Sequence, residues 1–152
     1  MTLETIHASA VLVGETGILI LGASGSGKSS LALDLIDHCH LRGIAAGLIG
    51  DDRIVISRKN SQIFASPAPQ LAGLIEVFGS GVHLVRHIDE AEIHLAVRLV
   101  ESSKSLRMPP QEPHEVLPGI FLPLLCLPQR QPAVRAVLAH LGLYGGVERV
   151  TK

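Results

Sequence analysis

The chain has 152 residues, 47% of them hydrophobic and only 3% aromatic, with a formal net charge of −1. That length suits one domain with one core, able to bury about 68–70% of the surface its unfolded chain would expose. Without a lysine or arginine run there is no electrostatic footprint for nucleic acid, and no stretch of ~20 apolar residues could span a membrane.

Cys39 and Cys126 lie far apart and outside any metal-ligand spacing, and no signal peptide opens the chain, which suits a reducing, cytoplasmic compartment. The mean hydropathy of +0.38 suggests that some apolar surface is covered by further copies, making a homo-oligomer.

In chain order, His7 to Val13 and Gly17 to Leu21 predict two strands joined by Gly14-Glu15-Thr16 as a hairpin. His7 begins the first; a histidine at a strand end is ordinarily solvated or structural, so the pattern does not promote it. Ile18 to Leu21 then runs into Gly22-Ala23-Ser24-Gly25-Ser26-Gly27-Lys28-Ser29, which satisfies G-x-x-x-x-G-K-[ST] in full. From Ser29 to Ile36 the apolar residues fall at helical spacing. Strand, glycine loop and helix are the context that makes this a phosphate loop. Glycines let the backbone aim successive N–H groups inward, and the helix adds the positive end of its dipole. Lys28 would reach the outer phosphates of a polyphosphate, and the Ser29 hydroxyl would take a place on Mg²⁺.

The helix ends at Leu41-Arg42-Gly43. Asp37-His38-Cys39-His40 resembles a metal cluster only in composition, because four consecutive helical residues point in different directions. Ile44 to Ile49 predicts a buried strand ending in Gly50-Asp51-Asp52. Carboxylates just past such a strand sit where open α/β sheets place ligands, and Asp51 and Asp52 could hold Mg²⁺ or accept a proton from a hydroxyl. A plain Asp-Asp turn is the alternative.

Arg53 to Ser57 and Ile63 to Ala65 predict a β-hairpin, which Pro67 and Pro69 terminate. Leu71 to Phe78 reads as an apolar strand carrying one acid, Glu76. A carboxylate in such a strand is costly to bury unless paired or on a metal, so Glu76 is a candidate metal ligand. Glu92 to Val100 allows a helix, yet Ile93, Leu95, Val97 and Leu99 alternate, and a strand is expected. Ser102 to Pro118 reads as a long polar, proline-rich loop able to close over a phosphate site, with Arg107 and His114 as its chemistry. Gly119 to Leu127 predicts one more strand. Pro132 begins a helix presenting Val134, Val137, Leu138 and Leu141, with Gly142 as its stop.

Taken together, these residues resemble the C-terminal catalytic domain of the bacterial HPr kinase/phosphorylase family over nearly the whole chain. His7 precedes Lys28 by the family's spacing, and Gly22 to Ser29 matches its phosphate loop. Asp51-Asp52-Arg53-Ile54 resembles its Asp-Asp-Arg-Val, and Leu74 to Val82 its signature segment. Ser105-Leu106-Arg107 and Pro128-Gln129-Arg130-Gln131 resemble its two arginine-bearing segments.

The resemblance implies an α/β phosphate-loop kinase domain similar to that of phosphoenolpyruvate carboxykinase, with a mixed sheet and flanking helices. Residues 1–152 would be that one catalytic domain, without the family's N-terminal domain, as in its short alphaproteobacterial versions. The implied activity is transfer of phosphate from ATP, with Mg²⁺, to a serine of the phosphocarrier protein HPr, and its phosphorolytic removal; the implied assembly is a hexamer. Carried over, His7, Lys28, Asp51 or Asp52, and Arg107 are the catalytic groups, with Ser29 and Glu76 on the metal. Which aspartate accepts the proton stays open.

Three departures stand out. Ala23 replaces an acidic residue, Phe78 replaces the signature arginine, and Gln129-Arg130-Gln131 replaces Gly-Arg-Asn. Glutamine does not readily adopt the positive φ that glycine allows, so a weaker reverse reaction is expected. Competing readings are a small-molecule kinase or NTP hydrolase sharing the phosphate loop, and a nucleotide-sensing module without catalysis. The chain has no Asn-Lys-x-Asp motif of a GTPase.

Overall fold

A computed structural model describes residues 3–150 of the chain. The strands are β1 (Leu3–His7), β2 (Ser9–Val13), β3 (Thr16–Gly22), β4 (Ala46–Gly50), β5 (Arg53–Lys59), β6 (Gln62–Pro67), β7 (Leu74–Val77), β8 (Gly81–Leu84), β9 (Ala91–Glu92), β10 (Leu95–Val100), β11 (His114–Leu117), β12 (Ile120–Leu122) and β13 (Leu124–Pro128). The helices are α1 (Lys28–Leu41) and α2 (Val134–His140).

The central sheet has the order β13-β10-β3-β2-β4 and is mixed: β10 runs parallel to β3 and β13, whereas β2 is antiparallel to β3 and β4. Its strands are predominantly apolar because both faces are covered. Side chains alternate across a strand, so Ile18 and Ile20 of β3 join Leu31 and Leu35 of α1 in one core cluster. Leu19 and Leu21 face the other way, into a second cluster with Ile54 and Ile56 of β5. Val97 and Leu99 of β10 join the first cluster and Ala96 the second, which is the alternation that made a strand the better reading of that segment.

Helices cover only one face. Val137 and Leu138 of α2 share the cluster of α1, and the opposite face packs against an antiparallel four-stranded sheet of order β1-β5-β6-β9. The expected β5–β6 hairpin, the end of α1 and the stop of α2 at Gly142 are all present. No helix among the described residues is long and apolar enough to cross a membrane.

Four expectations are corrected. The strand anticipated from His7 to Val13 is divided at Ala8: β1 belongs to the outer sheet and β2 to the central one. Gly119 to Leu127 is likewise two strands, because Pro123 has no N–H to continue a ladder and the chain changes partner there, from β11 to β10. The supposed loop from Ser102 to Pro118 contains a 3₁₀ turn at Ser102–Lys104 and strand β11. Finally, β7 is only Leu74–Val77 and pairs with β8 alone, so it has one exposed face and Glu76 is exposed rather than buried.

Candidate active site

Two chain crossings build the site. At Ala8 the chain passes from the outer sheet to the central one, and at Asp51-Asp52, between β4 and β5, it passes back. The crossings lie side by side: β1 pairs His7 with Arg53, β2 pairs Ala10 with Gly50, and Ala8 N–H donates to the Asp52 carbonyl at 3.2 Å. Both aspartates are thereby fixed at the edge where β3 delivers the glycine loop.

The crossing gives the two carboxylates different surroundings. Asp51 is 6% exposed. It accepts a hydrogen bond from Ser9 Oγ at 2.5 Å, and Ser29 Oγ lies 2.8 and 2.9 Å from its two oxygens. A hydroxyl has one proton, so Ser29 serves one oxygen at a time. Asp52, held at φ 71°, turns outward, and His7 Nε2 sits 3.0 Å from its Oδ1 with both side chains about half exposed. Asp51 is therefore a buried group engaged by hydroxyls, while Asp52 is an open group with an imidazole beside it.

The phosphate loop connects β3 to α1, as the motif predicts. A Cβ at Gly22 would stand 2.5 Å from Ser26 Oγ and 3.0 Å from the Leu99 carbonyl oxygen, so only glycine fits. Gly27 caps α1 at φ 105° with no side-chain cap, and no acid occupies the first turn, which leaves the helix amides open to an anion. Lys28 Nζ donates to the carbonyls of Gly22 and Ala23 at 2.9 and 3.0 Å. Burial pushes the Lys28 pKa below its usual 10.5, opposed by the nearby charges of Asp51 and Asp52. A desolvated ammonium of this kind gains from an arriving anion.

Most of the predicted residues converge. His7, Lys28, Ser29, Asp51, Asp52 and Glu76 all line one open groove of about 860 Å³, with Ser24, Gly25 and Gly27 at its floor. Gly22, Ala23 and Ser26 shape the loop from behind; Ser26 Oγ is buried and unbonded. Arg107 does not line the groove, and nor does any residue from 102 to 118. Leu106 N–H instead donates to Cys126 on β13.

The arginine in the groove is Arg130. Its N–H donates to the Ser26 carbonyl at 2.9 Å and its Nε to the Gly25 carbonyl at 3.1 Å, tying the segment after β13 to the phosphate loop. Here a further expectation is revised: the left-handed residue is Arg130, at φ 57°, and Gln129 is not among the residues with positive φ. Ser9 was not singled out from the sequence; its only signal was a polar residue on the inward face of an apolar strand.

The donors available for a metal are oxygens: the Ser29 hydroxyl, the Asp51 carboxylate bonded to it and, on the facing hairpin, Glu76. No group of three or more His, Cys, Asp or Glu forms a cage among the described residues. This set suits Mg²⁺, which characteristically takes one or two carboxylates and completes its shell with phosphates and water.

Comparison with known proteins came to a consistent result. The family model for the HPr serine kinase C-terminal domain matches residues 2–133. An HPr kinase/phosphorylase of Chlorobaculum tepidum is 35% identical over 82% of this chain and 38% of its own length. That of Bordetella pertussis is 36% identical over 84% and 41%, and that of Mycoplasma mycoides subsp. mycoides 41% identical over 62% and 31%. The chain thus spans between about a third and two fifths of the length of these relatives. Among solved structures, the Hpr(Ser) kinase/phosphatase from Coxiella burnetii matches with a TM-score of 0.69 at 30% identity, covering 92% of this chain and 87% of that one.

Proposed function

Because the chain belongs to the family of HPr serine kinase C-terminal domains, we propose that it is an ATP- and Mg²⁺-dependent kinase acting on a serine of an HPr-type phosphocarrier protein. The observation that carries the reading is that a buried, hydroxyl-bonded Asp51 and an exposed Asp52 beside His7 line the same groove as the phosphate loop.

In this reading the amides of Gly25 to Lys28 and the Lys28 ammonium cradle the β- and γ-phosphates, and Lys28 leaves the Gly22 and Ala23 carbonyls to do so. Ser29 and Asp51 hold Mg²⁺, with Glu76 as a further oxygen donor. When bound, the ion neutralises phosphate charge. Asp52 accepts the proton of the incoming serine hydroxyl, since it is exposed and free of hydroxyl partners, and His7 orients that carboxylate. Arg130, rather than Arg107, is the arginine that meets phosphoryl charge, because it lines the groove.

The whole of residues 1–152 acting as one catalytic domain, a cytoplasmic location and assembly into a homo-oligomer, a hexamer if the resemblance holds, belong to the same proposal. Sedimentation equilibrium reads the last. The functional test is incubation with labelled ATP, Mg²⁺ and purified HPr. Phosphoserine on HPr is the expected outcome. Label released only to water would favour a hydrolase, and binding without turnover a nucleotide-sensing module.

A further inference from the structure

The β7–β8 hairpin has two unlike faces. Its register pairs Leu74 with Leu84 and Glu76 with Val82, and paired residues project to the same side of a ladder. Leu74, Glu76, Val82 and Leu84 therefore share one face. Ile75, only 1% exposed, lies on the other and joins the core cluster of α1, which anchors the hairpin beside the helix.

Among the described residues little covers the first face, where only Leu74 is partly buried. Val82 is 65% exposed and Leu84 81%, and Phe78, in the turn, is 97% exposed. Leu74, Phe78 and Val82 nevertheless line the same groove as Gly25 and Lys28. That groove is thus lined both by the phosphate loop with its lysine and by the hairpin, where an exposed aromatic ring stands with Leu74 and Val82 around Glu76. A polyphosphate alone would use only the first. A ligand that carries a phosphate chain at one end and a flat aromatic system at the other uses both.

We propose that Phe78 is the platform on which the base of the bound nucleotide stacks. This inference rests on reading Gly22 to Ser29 as a nucleotide site but not on the identity of the phosphoryl acceptor. Continuity with the phosphate loop selects a base as the occupant: the ligand seated at Lys28 lies in a groove that also contains the one phenyl ring of its lining, that of Phe78. Phenylalanine offers a π-face and no charge, so it recognises the base by stacking rather than by hydrogen bonding.

The test compares Mg²⁺–ATP with Mg²⁺–tripolyphosphate, which shares the phosphates and lacks the base. Binding is measured on the full chain and on its Phe78→Ala and Phe78→Trp variants. An exposed side chain can be replaced without disturbing the core, and the chain has no tryptophan of its own, so Phe78→Trp is a lone fluorophore. Phe78→Ala should weaken ATP roughly five- to hundredfold, the range of one base–aromatic stack, and leave tripolyphosphate unchanged. Phe78→Trp should retain ATP affinity, and its emission should respond to ATP and not to tripolyphosphate. Equal loss of both ligands, or undiminished ATP binding, would overturn the inference. So would an effect confined to KM for the phosphocarrier, which would make the hairpin a protein-docking face. Stacking that survives while HPr goes unphosphorylated would sink the proposed acceptor alone. Failure of the unmodified chain to bind either ligand would sink the nucleotide site and this platform together.

Discussion

Asp51 and Asp52 are adjacent in the chain yet differently placed, one enclosed by hydroxyls and the other facing solvent beside His7. Asp52→Asn should leave ATP binding largely intact and depress phosphoryl transfer by about 10²–10⁴-fold, the usual contribution of a positioned proton acceptor. Asp51→Asn should instead raise the Mg²⁺ concentration needed for half-maximal rate. Measuring transfer and ATP affinity across a Mg²⁺ titration distinguishes the two, and identical profiles would refute the division. Lys28 carries a separate, pH-dependent signature. Its native pKa lies below the ordinary 10.5, so between those two values the unfolded chain binds more protons than the folded one, and stability rises with pH. Denaturant unfolding without nucleotide should show the unmodified chain gaining on Lys28→Met as pH rises through that window. Lys28→Met should also lower turnover steeply, because charge stabilisation is most of phosphoryl-transfer catalysis.

Among the elements, the phosphate loop and the segment after β13 behave as one unit, since Arg130 bonds the carbonyls of Gly25 and Ser26. Replacing Gly22 by alanine would drive a Cβ into Ser26 Oγ and the Leu99 backbone. Moving that backbone should cost about 1–3 kcal/mol and abolish ATP binding, read by calorimetric titration. In the 129–131 segment the left-handed residue is Arg130 rather than Gln129. With the positive φ at Arg130, glutamine at 129 is not strained, and Gln129→Gly should leave the ratio of dephosphorylation to kinase rates unchanged. Arg130→Ala, by contrast, removes the Nε bond to Gly25 and a groove cation, and should slow both directions. Rates in each direction from one preparation decide this.

For the molecule as a whole, the groove lies between the loop on the central sheet and a hairpin pinned to α1 by Ile75, so a nucleotide touching both should stabilise the native state. At a hundred times its Kd a ligand adds about 2.7 kcal/mol, which for a chain of this size raises Tm by roughly 5–11 °C. Calorimetry with ATP and Mg²⁺ should show that rise and its loss on adding EDTA. An unchanged Tm would argue against a preformed nucleotide site.

What could be read without coordinates was what neighbours in the chain enforce. The loop from Gly22 to Ser29, the alternation of Leu95, Val97 and Leu99 and the stop at Gly43 depend on backbone conformations only a few residues long, so composition and spacing carry them. Apolar neighbours misled at Glu76, because a run of hydrophobic residues in a lone hairpin is half exposed. The switch of sheets at Ala8 was invisible, since a strand pattern is the same whichever sheet receives it. Ser9 and Asp51 are 42 residues apart and meet because β2 and β4 pair Ala10 with Gly50. That register is chosen by the packing of two sheets rather than by either segment. The unlike surroundings of two consecutive aspartates therefore follow from long-range pairing, and no local pattern could have separated them.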